Sequence, residues 1–215
     1  MTTGELIGAG RTADVYALDG EWVLRRYRDG GDARAEAALM AYLAGHGYPV
    51  PPVRPGGTPQ ELVLGRLTGP TMAEALLAGT LGGPAAGAML AGLLRALHAV
   101  PPRSSSGGRL LHLDLHPENV FLTPDGPVVI DWATAQEGPP GLDTAMSALI
   151  LAQTALTVPA LGEAIHPILR ALVRELGGTD GMLLDRARVR RAADPMLSAA
   201  ETAVLNEAVA LVRTV

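Results

Sequence analysis

The chain has 215 residues, enough for one large domain or one two-lobed domain. Hydrophobic residues make up 48%, which supplies a packed core and excludes global disorder, while the net charge of −5 argues against general nucleic-acid binding. Cysteine is absent, which excludes disulfides and thiolate metal sites.

The N-terminus, MTTGELIGAG, lacks a basic region followed by an apolar core, so no signal peptide is expected. Glu5 to Tyr27 reads as a strand, a glycine turn and a hairpin, with Asp19-Gly20 as the hairpin turn. Gly8-Ala9-Gly10-Arg11-Thr12-Ala13-Asp14-Val15 is the glycine turn; glycines let backbone N–H groups approach phosphate oxygens with no Cβ in the way. On the strand Glu21–Tyr27, Val23 and Arg25 share one face and Arg26 points to the other. Asp32 to Ala44 reads as a helix capped by Asp32, with Ala35, Leu39, Tyr42 and Leu43 as its apolar stripe and Glu36 in its first turns. Tyr48 to Val53 is proline-rich and extended, and Glu61 to Leu67 is a strand. Thr71-Met72-Ala73-Glu74 is a capping box that opens a short helix. Pro84 to Val100 is a further helix with Met89, Leu93, Leu94 and Leu97 as its stripe and His98 as a packing residue; Pro101 to Gly108 is a loop.

Leu110 to Trp132, LLHLDLHPENVFLTPDGPVVIDW, holds the densest set of polar residues. Leu110-Leu111 ends a short strand, His112 to Asn119 is a tight loop with Pro117 fixing its backbone, and Val120–Leu122 and Val128–Ile130 form a hairpin around Thr-Pro-Asp-Gly. A hairpin of that size is expected to return Asp131 close to Asn119. Two carboxylates and a carboxamide, Asp114, Asp131 and Asn119, suit phosphoryl transfer, which needs a carboxylate to orient a hydroxyl and hard oxygen ligands for Mg²⁺.

The string His-Leu-Asp-Leu-His-Pro-Glu-Asn followed by Ile-Asp-Trp resembles the aminoglycoside phosphotransferase family, small-molecule kinases of the protein-kinase-like fold. The resemblance implies an α+β, two-lobed architecture: a small antiparallel-sheet lobe with one main helix over residues 1–66, and a mostly helical lobe with the catalytic loop over residues 67–215. It implies ATP and Mg²⁺ as cofactors and an acceptor with a hydroxyl group. Asp114 and His116 would be catalytic, the first orienting the hydroxyl and the second near the γ-phosphate. Asn119 and Asp131 would hold the metal. Gly8, Gly10 and Val15 would cover the nucleotide, Arg25 would take the place of the usual lysine on the phosphates, and Glu36 would pair with it. Leu64, Gly65 and Leu67 would present backbone groups to the adenine edge, and His112 and Asp143 would support the loop. Ala13 stands at the third glycine of the family pattern.

Only ten residues, Ala133 to Leu142, separate Trp132 from Asp143, which favours a small-molecule acceptor over a peptide. Asp143 could also be a plain helix cap. Beyond it the chain reads as helices over 144–158, 160–177, 180–192 and 195–213, broken at Pro159, Gly177-Gly178 and Pro195. The apolar run Ala145–Val158, interrupted by Gln153, reads as a buried helix too short and too polar for a membrane span. Arg186, Arg188, Arg190 and Arg191 form a basic cluster of the kind that usually faces solvent, with a phosphate- or anion-contacting role as the alternative. From Ala133 onward nine acidic residues face seven arginines, so the composition does not favour a polycationic antibiotic as acceptor. The expected reaction is transfer of the γ-phosphoryl group of ATP to a hydroxyl of an unidentified small molecule, in the cytoplasm, by a monomer or homodimer binding neither nucleic acid nor membrane. A compact atypical protein kinase and a nucleotide-binding pseudokinase acting as an interaction module stay open as alternatives.

Overall fold

The structure is a computed structural model, and it describes residues 4–28, 30–104 and 107–215. The first three residues and two of the Pro101–Gly108 loop thus lie outside the described residues. The chain divides into two compact units, one of Met1–Gly69 and Phe121–Ala133, the other of Pro70–Val120 and Thr134–Val215. The first is built on a sheet and the second on helices, the α+β kinase-like architecture expected from the sequence.

In the sheet unit, β1 (Leu6–Ala9), β2 (Ala13–Ala17), β3 (Trp22–Tyr27), β4 (Val53–Pro55) and β5 (Glu61–Gly65) form an antiparallel sheet in the order β1-β2-β3-β5-β4. Strand β4 was hidden by the prolines around it; as an edge strand it tolerates them. The register lines up Gly8, Val15, Arg25 and Leu62 across four strands, so these residues share one face. Asp14, Arg26 and Glu61 share the other, where Arg26 pairs with Glu61 at 2.8 Å. Helix α1 (Arg34–Gly45) starts two residues after the expected site: Ala33 is the cap, while Asp32 accepts the N–H of Arg34 and pairs with its guanidinium. Its buried residues are Glu36, Leu39, Met40 and Leu43, so Ala35 is exposed and Tyr42 only partly covered, and the charged Glu36 faces inward.

The helical unit opens with α2 (Met72–Leu77), whose Thr71–Glu74 capping box forms as expected, and α3 (Gly83–Ala99). Leu90 replaces Met89 on the buried face of α3, which also presents Ala86, Gly87 and Ala91. Strand β6 (Arg109–Leu111) leads to a 3₁₀ turn over Pro117–Asn119 and then to the hairpin of β7 (Val120–Thr123) and β8 (Gly126–Val129). From Phe121 onward the hairpin belongs to the sheet unit, where Val129 donates its N–H to the carbonyl of Pro49. Strand β9 (Gln136–Gly138) pairs with β6, a partnership the sequence did not signal.

Helix α4 (Pro140–Thr157) is buried on every side from Leu142 to Gln153, as a helix enclosed by others must be. It contacts α5 (Pro159–Glu175), α6 (Gly181–Ala192) and α8 (Leu205–Val212). Gly177 and Gly178, both left-handed, end α5 and return their N–H groups to Arg174 and Val173. The single last helix expected over 195–213 is two: α7 (Ala199–Ala203) begins at a second capping box, Ser198–Glu201, and gives way at Val204 to α8. Among the described residues, no helix is long and apolar enough to cross a membrane.

Close packing of α3 on α5 depends on Gly87: a Cβ there would meet the carbonyl of Ile168 at 2.3 Å and Ala171 Cβ at 2.7 Å. Gly92, on the same helix, has nothing within 4 Å. Gly87→Ala should therefore destabilise by about 1–3 kcal/mol, a thermal midpoint lower by roughly 3–10 °C. Gly92→Ala should stabilise by up to about 1 kcal/mol through helix propensity. Thermal unfolding followed by circular dichroism of the pair checks both signs.

Candidate active site

The expected site residues fall into two groups, one on each unit. On the sheet unit the group is built around Arg25. Its position on β3 is nearly enclosed, with a side chain 10% exposed, and a buried cation must be paired. Arg25 Nη1 donates to Glu36 Oε1 and Nη2 to Asp131 Oδ1, both at 2.8 Å. Glu36 is fully committed: Oε1 also accepts the backbone N–H of Trp132 at 3.1 Å, and Oε2 accepts the hydroxyl of Tyr27 at 2.6 Å. The Tyr27 ring also lies under the guanidinium, 4.9 Å from its carbon. Burial works against the charge of Arg25, but Asp131 and then Glu36 outweigh it and hold the group above its ordinary value, so it stays cationic. Burial, followed by the charge of Glu36, pushes the Tyr27 phenol up, so it remains a donor. Tyr27 belongs to this group and was not singled out in the sequence; only its place at the end of the strand that bears Arg25 could have pointed to it.

Asp131 follows β8 with a left-handed φ of 63°, costly for a residue with a Cβ and found where a structure holds a side chain in place. Trp132 beside it is buried, donates its indole N–H to the carbonyl of Val129 and meets Tyr48 edge-on at 5.5 Å. The turn between β1 and β2 needs no glycine for its backbone angles, since neither Gly8 nor Gly10 has a positive φ. A Cβ at Gly8 would meet Val15 at an ordinary 3.6 Å. Gly8 stands opposite Val15, which is itself opposite Arg25, and Gly10 donates its N–H to the carbonyl of Ala13 at 2.9 Å. At the expected hinge, Gly65 gives its N–H to Pro52 and Arg66 to Glu21, while Leu67 keeps an N–H without a partner among the described residues.

On the helical unit, alternation does the local work. Leu113 and Leu115 are buried, which turns Asp114 and His116 away from the core. Leu113 takes a left-handed φ of 63°, and the buried carboxylate of Asp143 holds this strained turn. Asp143 Oδ2 accepts the N–H of His112 at 2.9 Å, and Oδ1 that of Leu113 at 2.7 Å. His98 Nε2 lies 3.0 Å from Oδ2, so His98 is a hydrogen-bond donor to Asp143 rather than a simple packing residue. Asp143 is the fourth residue of α4 and does not cap it. His112 is fully buried; its Nδ1 accepts the N–H of Asp114 at 3.2 Å, and its carbonyl accepts the hydroxyl of Thr134.

Asp114 is surrounded by donors. Asn119 Nδ2 donates to its carbonyl at 2.8 Å and to Oδ2 at 3.3 Å, and His116 Nε2 stands 3.7 Å from Oδ2. Arg191 Nη1 lies 3.6 Å from Oδ1. Burial raises the Asp114 carboxyl, but His116, His112 and Arg191 together pull it below the ordinary carboxylate value, so it is ionised and able to accept a proton or a hydrogen bond. Arg191 is the residue that sequence reasoning left among solvated arginines. Its Nε donates to Gln153 Oε1 at 3.0 Å, and buried Gln153 in turn donates to the carbonyl of Glu201. The one visible signal was Gln153 itself, a polar residue in the middle of the apolar run.

The residues present fit Mg²⁺ in kind. With the nitrogen of Asn119 turned toward Asp114, its carboxamide oxygen has no partner among the described residues, and Asp131 is part-exposed with Oδ2 left over from its pairing with Arg25. Both are hard oxygen donors, and Asn119 belongs to the helical unit while Asp131 belongs to the sheet unit. No group of three or more His, Asp or Glu able to hold a metal occurs among the described residues. Mg²⁺ needs none, since it ordinarily keeps waters and takes one or two carboxylates plus substrate phosphates.

Two outcomes test these groups. Arg25→Met leaves Glu36 buried without its cation and should cost on the order of 3–5 kcal/mol, whereas Arg25→Lys keeps the charge and should cost less; chemical denaturation of both variants reads the difference. Asp143→Ala removes three hydrogen bonds to one buried carboxylate and should destabilise by on the order of 3 kcal/mol, with amide exchange at His112 and Leu113 accelerated in a hydrogen-exchange measurement.

Among solved structures, the fold is shared with a choline/ethanolamine kinase family protein from Mesorhizobium loti (TM-score 0.62, 16% identity, 98% of this chain and 92% of that one). It is shared too with APH(2″)-IIa in its ternary complex with streptomycin and ATP (TM-score 0.61, 12% identity, 99% and 92%). Plasmodium vivax ethanolamine kinase superimposes with a TM-score of 0.62 at 10% identity, over 98% of this chain and 80% of its own. Against curated proteins the sequence finds no match. The phosphotransferase enzyme family, APH, matches residues 3–106 and 69–181, well over half of the chain, and the protein belongs to that family.

Proposed function

We propose that the protein is an ATP- and Mg²⁺-dependent phosphotransferase that moves the γ-phosphoryl group to a hydroxyl of a small molecule. The observation that carries this reading is the double pairing of Arg25. In place of a lysine, the cation is nearly buried, oriented by Glu36 and joined to Asp131, which supports a phosphate-binding role rather than that of an exposed arginine on a strand. Arginine keeps its charge at all working pH values and offers forked donors suited to phosphate oxygens.

The roles follow from the side chains. Asp114, held ionised among His116, Asn119 and Arg191, takes the proton of the acceptor hydroxyl. The acceptor oxygen then bonds to the γ-phosphorus as the bond to the β–γ bridging oxygen breaks, and ADP leaves with that oxygen. Arg25 holds the phosphates, and His116 donates a hydrogen bond to the transferred group. Asn119 and Asp131 would hold Mg²⁺, which when bound offsets phosphate charge. Asp143 keeps the loop in its strained form through the N–H groups of His112 and Leu113. Two structural neighbours, one in complex with ATP and one with AMP-PNP and hygromycin B, support a nucleotide as donor. After Trp132 the chain runs through the three-residue β9, paired to β6, directly into α4, which favours a small acceptor over a peptide. A cytoplasmic location, where ATP and Mg²⁺ are at hand, belongs to the same proposal.

Asp114→Ala and Asp131→Ala should each lower ATP-dependent phosphorylation, screened against a panel of small alcohols, by roughly 10³-fold with thermal stability kept within a few degrees. Full activity in either folded variant would sink the assignment.

A further inference from the structure

The last turn of α6 flanks Asp114; there Arg191 is answered by Asp114 and Asp194, both at 3.6 Å, while Arg190 has no carboxylate partner among the described residues. Arg191 approaches Asp114 and is fixed by Gln153. Arg190, next on the helix, donates to Gln136 Oε1 at 2.9 Å and to the carbonyl of Thr134 at 3.3 Å, two neutral partners. Thr134 is itself bonded to His112 of the catalytic loop, so Arg190 stands over the segment that supports the loop. Arg186, one turn earlier and on the same face, is exposed and has no partner among the described residues. Arg186 and Arg190 border a concavity of about 410 Å³ with Leu142 and Val189 as its apolar surface and Gln136 and Asp185 at its margin. Asp185 is the acid in that lining, and it is paired with Arg213 at 3.1 Å. Arg186 and Arg190 therefore keep uncompensated positive charge, about one helical turn apart, beside an apolar wall.

We propose that this concavity is the acceptor site and that it selects a hydroxyl compound with an acidic group, a carboxylate or a phosphate ester, on an apolar frame. The inference rests on the reading of Asp114 as the group that takes the hydroxyl proton. The acceptor lays its apolar part on Leu142 and Val189, and Arg186 with Arg190 holds its acidic end. A cationic acceptor, such as an amino sugar or an amino alcohol, meets like charge at both arginines and is disfavoured. This goes beyond composition, which from Ala133 onward is slightly acidic: the acids are elsewhere or paired, and the arginines gather at one turn.

The test uses three acceptors of equal length that differ only in charge: 6-hydroxyhexanoate, 1,6-hexanediol and 6-aminohexan-1-ol. Their binding to the full-length protein is measured by ligand-observed NMR, and acceptor-dependent release of ADP from Mg·ATP is followed in parallel. The anionic probe should bind about tenfold more tightly than the cationic one. Arg186→Gln should shrink that preference, since Arg190 remains, and Arg186→Glu, which sets one carboxylate against Arg190, should abolish it, with 1,6-hexanediol changed by less than twofold in both. Equal binding of the three, preference for the cationic probe, no binding of any, or an order that Arg186→Glu leaves in place each overturns the acceptor site. Charge-ordered binding without ADP release from any probe leaves the site standing and counts against the phosphotransferase reading. ADP release with cationic preference overturns the site alone.

Discussion

A buried cation and the groups that answer it hold the sheet unit together. Arg25 comes from β3, Glu36 from α1, and Asp131 and the Trp132 N–H from the end of the β7–β8 hairpin, so one guanidinium and one carboxylate tie together three segments distant in sequence. Burying two charges in this way costs desolvation, and the arrangement is tolerable because the buried guanidinium and the Glu36 carboxylate are both paired, while Asp131 keeps its second oxygen part-exposed. The consequence is positional. Helix α1 must turn Glu36 inward, against the usual rule that its charged residues face water, and Asp131 must accept a left-handed backbone. The unit gives up local comfort at both places and gains a paired, nearly buried cation that keeps its charge and has little freedom to move.

The helical unit solves the same problem with a carboxylate. Asp143, fully buried near the start of α4, accepts two backbone N–H groups and the imidazole of His98, and in doing so holds Leu113 at a positive φ. That kink separates the paths of Leu113 and Leu115, which go to the core, from those of Asp114 and His116, which do not. A second buried polar residue, Gln153, performs the matching task for Arg191 and thereby fixes a positive charge beside Asp114. Arg191 and the backbone of the loop that carries Asp114 are thus each held by a buried polar partner, and those partners are themselves hydrogen-bonded.

The legible part of this protein was local. The Thr71–Glu74 capping box and the β7–β8 hairpin formed where residue order placed them, because caps and tight turns are decided by neighbours within a few positions. The illegible part was set by distant contacts. Strand β9 has only three residues and exists because β6 is there to pair with it. The inner face of α1 took Met40 in place of Ala35, while Glu36 turned inward to Arg25 as the family resemblance implied. The last helix broke at Val204 and restarted, where propensity alone favoured continuity. Arg191 looked like its neighbours Arg188 and Arg190, since an arginine with a buried oxygen partner and one in water have the same sequence signature.

By itself, then, the sequence determined the chemistry available: a carboxylate, a carboxamide and a second carboxylate at kinase spacing, a glycine turn before a cation, and a family membership that reaches to residue 181. These are properties of spacing, and spacing survives in any fold that keeps the loop. The pairing of Arg25 with Glu36 was implied by the family resemblance; the other charge pairs were decided only by the tertiary structure. It added Asp131 to Arg25, gave Asp185 an arginine, and left Arg186 and Arg190 without acids beside an apolar hollow. Charge pairing acts over a few ångströms between residues that may be a hundred positions apart, as Arg25 and Asp131 are, and no pattern along the chain records it.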